Sequence, residues 1–497
     1  MRPKTPVVVT LFALAAAGCA VGPDFREPEA PKTESYTPTP ISGETASAAG
    51  TGGAAQRFIA GQDVPAQWWE LFRSPVLDQL VRHALADSPT LAAAQATLRV
   101  AEENLAAARG ALFAPQVDAK ASGGRQRFSP AAIGMPQTPP VEFNLYNASV
   151  SVGYYFDLFG GARREFEALE SEADYQRFQL QAAYVTLTAN VVTTAIREAA
   201  LRAQLAATQE ILAAEERQLA IVERQVALGG AARNDVLAQR SQVAQTRAGL
   251  PALEKELART RHLLSVYVGK LPSEAQLPEF TLATLELPQA LPVSLPSVLV
   301  RERPDIRAAE ALLHRASAKV GVATANQYPQ ITLTGSYGSL TNASGEWFSS
   351  GTSVWNYGLG LTLPLFRGGQ LTAQRRAAIA AYEQAEAQYR EVVLRAFQNV
   401  ADTLRALEFD ARTLKAQAEA ASAAREALDL TQRQYALGGA TYLALLTAQR
   451  QHQQAQIGLV QAQAARFADS AALFQALGGG WWHAPARSRS VSDEDKR

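Results

Sequence analysis

Two stretches of this chain, residues 162–228 and 370–437, contain neither glycine nor proline. Both are rich in Ala, Gln, Glu, Arg and Leu, good helix formers, with apolar residues at ordinary helical spacing. At about 1.5 Å per residue, helices of 67 and 68 residues extend roughly 100 Å. A single globule of about 500 residues has a radius of gyration of only ~23 Å. The two helices therefore exclude an ordinary globule. Each runs into Leu-Gly-Gly-Ala, at Leu228 and again at Leu437, where glycine can end a helix. A second long segment then returns, over about 232–270 and 441–477, giving two antiparallel hairpins with glycine pairs at their tips. Their apolar residues are mostly Ala, so one hairpin has too little bulky surface to stand alone. Two arrangements fit: a coiled-coil stalk, or a curved wall of side-by-side helices closed by further copies.

The hairpins belong to a larger repeat. Phe113, Pro115, Gln116 and Val117 recur as Tyr328, Pro329, Gln330 and Ile331. Asp157-Leu158-Phe159-Gly160-Gly161 recurs around Leu365-Phe366-Arg367-Gly368-Gly369, and Arg224 to Ala231 recurs as Arg433 to Ala440. The offsets of 214, 208 and 209 residues are nearly constant and in the same order. Two halves of about 210 residues share one plan: helix, strand, strand, long helix, long helix.

The strands alternate. Tyr146, Ala148, Val150, Val152, Tyr154 and Phe156 are interleaved with Asn147, Ser149, Ser151 and Gly153. Trp355, Tyr357, Leu359 and Leu361 are interleaved with Asn356, Gly358, Gly360 and Thr362. Ile331 to Tyr337 continues the pattern, and 117–128 is more polar. Period-two alternation over about ten residues, with aromatics near the ends, fits a transmembrane β-barrel strand as well as a soluble sandwich strand. Four strands cannot close a barrel, since the smallest has about eight. An open sheet edge is untenable in lipid, so a membrane reading requires further copies of the chain. The segments 125–143 and 341–353, with Pro, Gly and Ser, read as external loops.

The N-terminus carries Arg2 and Lys4, an apolar run from Val7 to Ala17, then Gly18-Cys19. This is a secretory signal, and the cysteine after small residues resembles a bacterial lipobox. An ordinary signal with an incidental cysteine is the alternative. On the lipobox reading Cys19 becomes the acylated mature N-terminus, and Ala20 after it favours the outer membrane. The stretch that follows, to about Gly61, is rich in Pro, Ser, Thr, Gly and Ala and reads as a strap.

Composition narrows the function classes. Lys+Arg and Asp+Glu each number 47, so the net charge is zero and no basic run marks a nucleic-acid footprint. A single cysteine excludes an intramolecular disulfide framework and a cysteine-cluster metal site. No run reaches the roughly 18 apolar residues of a membrane helix. His83, His262, His314, His452 and His483 are scattered, and no phosphate loop or nucleophile-elbow motif is present, so no enzyme chemistry is expected.

Val21-Gly22-Pro23-Asp24-Phe25 after the lipobox, the segment 65–77 with Trp68, Trp69 and Phe72, and Arg303-Pro304-Asp305-Ile306-Arg307 carry a resemblance. The chain resembles the TolC-like outer-membrane factors, in particular the lipoprotein subgroup serving resistance-nodulation-division efflux pumps. The resemblance implies a mainly α fold with a membrane β-barrel: a trimeric TolC-like α/β barrel, each chain giving four strands and long antiparallel helical hairpins. Its parts are a signal peptide (1–18), a lipid-anchored strap (19–61), a first repeat (62–270), an equatorial connector (271–297), a second repeat (298–480) and a tail (481–497). It implies a passive exit duct in the outer membrane, exporting small molecules through a periplasmic tunnel. The partners implied are the homotrimer, a periplasmic adaptor, an inner-membrane pump and outer-membrane lipid. No cofactor is expected beyond the covalent lipid on Cys19. A type I protein-secretion channel and a structural coiled-coil lipoprotein are the alternatives.

The family's tip motif falls on Leu228-Gly229 and Leu437-Gly438, which implies adaptor docking there. Gate residues would be Asn234 and Asp235 in the first repeat, Leu443 and Thr447 in the second. Thr447 stands where many relatives carry an acid, which leaves Asp235 as the acidic candidate. Asp235 can also be read as a helix cap, since an early acid favours the helix dipole. Arg303 and Asp305 read as a structural ion pair at a helix start.

Overall fold

The computed structural model describes residues 20–483. In chain order, β1 (Arg57–Ala60) and a 3-10 turn (Trp68–Phe72) precede α1 (Pro75–Asp87) and α2 (Pro89–Phe113). β2 (Gln116–Phe128), β3 (Val141–Phe156), α3 (Gly161–Ala227) and α4 (Arg233–Tyr267) complete the first half. A connector carrying β4 (Ala290–Val293) leads to α5 (Pro296–Glu302) and α6 (Pro304–Ala325). β5 (Gln330–Thr341), β6 (Ser353–Thr362), α7 (Gln370–Ala436) and α8 (Tyr442–Ala476) follow. The long helices α3 and α7 end within a residue of the stretches free of Gly and Pro. Their return helices α4 and α8 are 35 residues each.

Each half opens with two helices where the sequence suggests one. Pro89 and Pro304 make the break, because the residue before a proline is pushed out of the helical region. Ser88 and Arg303 are accordingly extended, with ψ of 120° and 124°.

The chain forms two compact units, each assembled from separated pieces. One comprises residues up to Pro28, Thr97–Arg177 and Ala308–Arg390. It holds a four-stranded antiparallel sheet in the order β2-β3-β5-β6. The strands run further than the loop composition suggests: Phe128 pairs with Val141, so 125–128 and 141–143 belong to the ladder and the first loop is only 129–140. Within this unit the strap is seated. Val21 donates its N–H to Phe159 O at 3.0 Å, and Phe25 stacks on His314 with ring centroids 4.2 Å apart.

The other unit comprises Glu29–Ala96, Phe178–Arg307 and the chain from Glu391 onward. Trp68, Trp69 and Phe72 are fully buried in its core. Trp68 stacks on Phe474 at 5.2 Å, and the indole of Trp69 donates to Asp78 Oδ1 at 3.0 Å. Here the strap is more than a tether: β1 pairs in parallel with β4, Arg57 opposite Ala290 and Ala60 opposite Val293. The expected Arg303–Asp305 pair forms. The guanidinium gives Asp305 both a 3.0 Å and a 2.6 Å hydrogen bond, and its third contact, 2.6 Å to Ala476 O, ties the start of α6 to the end of α8.

Cys19, the signal segment and the tail beyond His483 lie outside the described residues.

Candidate functional site

The register sorts the sheet into two chemically distinct faces. Partners in an antiparallel ladder point the same way. One row across the four strands reads Val117, Val152, Gly335, Tyr357; a second reads Ala119, Val150, Tyr337, Trp355. The intervening row on the opposite face reads Asp118, Ser151, Ser336, Asn356. The apolar face is open to its surroundings: Val117, Tyr357, Leu359 and Leu361 are each more than 60% exposed. An apolar outer face and a polar inner face are what a membrane barrel presents to lipid and to water. β2 and β6 have a neighbour on one side only, so each leaves a row of unpaired backbone groups at an edge.

The tips are two copies of one device. After α3, Gly230 N–H bonds Gln225 O at 2.7 Å and Gly229 N–H bonds Val226 O at 3.0 Å. After α7, Gly439 N–H bonds Gln434 O at 2.8 Å and Gly438 N–H bonds Tyr435 O at 3.0 Å. These are paired Schellman closures, which require a left-handed residue at the first glycine. Gly229 and Gly438 supply it, with φ of 79° and 76°. The closure leaves Leu228 and Leu437 pointing away from the helices, 81% and 88% exposed. Each tip thus presents an apolar side chain to its surroundings instead of packing it.

One to three turns from the tips the two hairpins lock together. Val222, Val236, Tyr442 and Leu445 form a small buried cluster. Around it the Tyr442 hydroxyl donates to Gln239 Oε1, and the Tyr435 hydroxyl donates to Gln225 Oε1 at 3.0 Å. Gln239 Nε2 donates to Glu215 O at 3.0 Å, and Gln242 Nε2 to Glu215 Oε1 at 3.1 Å. Arg450 Nε donates to Gln242 Oε1 at 2.8 Å, joining α8 to α4. Burial pushes the Glu215 carboxyl above the usual carboxylate range and raises the Tyr442 phenol. Of the hydrogen bonds between the hairpins, that of Tyr442 is buried and those of Tyr435 and Arg450 are partly buried, so their loss is felt.

The residues expected at the gate lie beside this lock and not in it. Asn234, Leu443 and Thr447 are exposed, and Thr447 Oγ1 donates to Leu443 O at 2.9 Å within its own helix. Asp235 is half-buried; its Oδ2 accepts the Ala232 N–H at 3.2 Å, so it caps α4. Gln239, Gln242, Tyr442 and Arg450 were not singled out from the sequence. The available signal was the polar pair Gln239 and Gln242, three residues apart on a helix whose neighbouring inward positions are Val236 and Val243. Among the described residues no group of His, Cys, Asp and Glu could hold a metal ion.

The model of the outer membrane efflux protein family matches residues 80–270 and 295–479, one span in each repeat. The chain is 33% identical over 422 residues to the pyoverdine export outer membrane protein OpmQ of Pseudomonas aeruginosa, covering 84% of this chain and 87% of that one. It is 31% identical over 484 residues to the toluene efflux pump outer membrane protein TtgC of Pseudomonas putida, covering 96% and 95%. The structure of the outer-membrane channel OprN superposes with a TM-score of 0.83 at 28% identity, covering 93% of this chain and all of that one. The outer membrane channel MtrE of Neisseria gonorrhoeae gives 0.78 at 27%, covering 93% and 99%.

Proposed function

Because the chain belongs to the outer membrane efflux protein family, and is an outer-membrane efflux channel, we propose that three copies close one barrel and one periplasmic tunnel. The single observation that carries this reading is the sheet with one apolar face, one polar face and two unsatisfied edges. Lipid cannot satisfy those edges, and only other strands can. The polar row of Asp118, Ser151, Ser336 and Asn356 then lines a wet lumen through which cargo diffuses. A duct of this kind needs no catalytic group; the driving energy belongs to an inner-membrane resistance-nodulation-division pump.

Leu228-Gly229 and Leu437-Gly438 are the sites at which a periplasmic adaptor docks, on this reading. Opening follows when docking splays the hairpins and separates Tyr442 from Gln239 and Arg450 from Gln242. Asn234, Asp235, Leu443 and Thr447 border the constriction those links hold closed.

Lipidation at Cys19 is supported by the placement of the next residue, Ala20. Ala20 lies against Gly160, where an added Cβ would come within 2.6 Å of the Ala20 Cα. Gly160 follows Tyr154 and Phe156, the last apolar positions of β3, so Ala20 lies beside the lipid-facing rim.

OpmQ is named for pyoverdine and TtgC for toluene, a siderophore and a solvent with little shared chemistry. Cargo choice is thus read as a property of the pump rather than of the duct. Single-channel recording of the purified protein tests the reading, and an inert bilayer would sink it. For the tips, Leu437→Asp or Gly438→Asp is expected to abolish efflux while the trimer persists, because a charge replaces the apolar contact. Unchanged drug susceptibility in cells carrying either variant would refute the tip assignment.

A further inference from the structure

The apolar face of the sheet carries a slot of about 350 Å³, lined by Ala119, Ala121, Ala148, Val150, Tyr337 and Phe348. We propose that this slot holds an acyl chain of a phosphorylated outer-leaflet lipid whose phosphate is met by Arg125 and Arg127. The proposal rests on the membrane placement of the sheet.

The register makes the slot. Ala121 and Ala148 pair with each other and continue to Ser339, one row from Ala119, Val150 and Tyr337. On β3 Ala148 stands between Val150 and Tyr146 on the same face, and on β2 Ala119, Ala121 and Gly123 are all small, so the surface dips.

The loop between β5 and β6 then roofs the dip. Phe348 N–H donates to Ser339 Oγ at 3.1 Å, and Ser339 Oγ donates to Thr352 Oγ1 at 2.8 Å. Phe348 is held at φ 59°, a left-handed conformation rare for a bulky residue, with its side chain largely exposed. Strain of this kind persists where surrounding structure enforces it, as at ligand clamps. An empty groove facing hydrocarbon forfeits dispersion contacts along its walls, and a lipid tail restores them.

The same face supplies the headgroup partner. Beyond Gly123 on β2, Arg125 and Arg127 project on the odd-numbered side with the alanines, opposite Asn144 and Glu142. The alanine-to-arginine step from Ala121 to Arg125 is about 13 Å along the strand, close to the roughly 15 Å depth of one hydrocarbon leaflet. Glu142 lies 3.0 Å from Arg125 and 3.9 Å from Arg127. One carboxylate between two guanidiniums leaves a net positive charge, and both arginines are well exposed. A guanidinium fork matches phosphate geometry.

The test uses the full-length protein, stripped of lipid in detergent and titrated with lipid A or with phosphatidylcholine, with bound lipid counted by native mass spectrometry. One lipid A per protomer is expected to survive detergent washing that removes phosphatidylcholine, at tenfold or greater preference. Ala148→Phe, which fills the slot, is expected to lose retention of lipid A as well. Arg125→Gln with Arg127→Gln is expected to bring lipid A down to the phosphatidylcholine level. Full retention by Ala148→Phe, or no preference between the two lipids in the unaltered protein, overturns the proposal. So does displacement of lipid A by millimolar inorganic phosphate alone. Single-channel conductance of each variant, expected unchanged, distinguishes loss of this site from failure of the channel to assemble.

Discussion

Asp469 is an acid placed where a charge is unwelcome. It lies on α8 beside Arg466, and its Oδ2 has no donor among the surrounding groups. Burial, and then the neighbouring Asp410 carboxyl, push it up to about 8. Protonation gives the Asp469 carboxyl a donor of its own. Arg466 does not neutralise the pair outright, because its own hydrogen bonds go to Leu407 O, Thr45 Oγ1 and Ala54 O at 3.1–3.2 Å. The sign follows from the direction of the shift: the folded state holds a proton that the unfolded chain has lost above about pH 4. The stability tied to that proton is complete below the ordinary carboxylate range and is lost as pH rises through about 8. Asp469→Asn keeps the donor at every pH. Its thermal midpoint is expected to vary less between pH 5 and 8 than that of the unaltered protein, and to be higher at pH 8 by an amount equivalent to about 1–3 kcal/mol. Parallel pH profiles of the two proteins would contradict a proton retained on Asp469.

At the scale of the elements, the lock between hairpins is a set of single hydrogen bonds over a thin apolar cluster. A buried hydrogen bond is worth on the order of 1 kcal/mol, more where one partner is charged. Removing two of them, with Tyr442→Phe and Arg450→Ala together, should leave folding and insertion intact yet raise the resting single-channel conductance several-fold. A conductance equal to that of the unaltered channel would place the closing contacts elsewhere. These residues also mark where sequence reading stops. Helix α3 was legible almost to the residue because a long absence of Gly and Pro is a local signal, and the tips were legible because a Schellman closure needs its glycine in place. Contacts such as Tyr442 with Gln239, 203 residues apart, leave no local trace. Nor do β1 and β4, four residues each, which pair across the chain and carry Pro292 within the ladder. β2 was obscured differently: its lipid-facing positions are Val117, Ala119 and Ala121, too small to stand out against Lys120, Arg125 and Arg127. Only the register reveals which of its faces is apolar.

For the whole molecule, the internal repeat specifies how one copy should meet the next. Laying β2–β3 on β5–β6 puts Gln116 on Gln330 and Gly153 on Thr362, shifts of 214 and 209 residues. The second shift equals that between the tips at Leu228 and Leu437. The junction of β3 with β5 inside one chain is then the template for β6 against β2 of a neighbour. Within the chain Val152 faces Gly335 and Phe156 faces Ile331. Carried through the same shifts, Leu361 comes to face Ala121 of the next copy, both on the apolar side. Cross-strand Cβ atoms lie about 4.5–5.5 Å apart, close to what a disulfide needs. Leu361→Cys combined with Ala121→Cys should therefore give an oxidant-dependent, reducible ladder of dimer and trimer on a denaturing gel. Leu361→Cys with Lys120→Cys should give none, because Lys120 projects to the opposite face. A one-residue slip in register would invert that pattern, and it would also turn the neighbour's apolar row into the lumen.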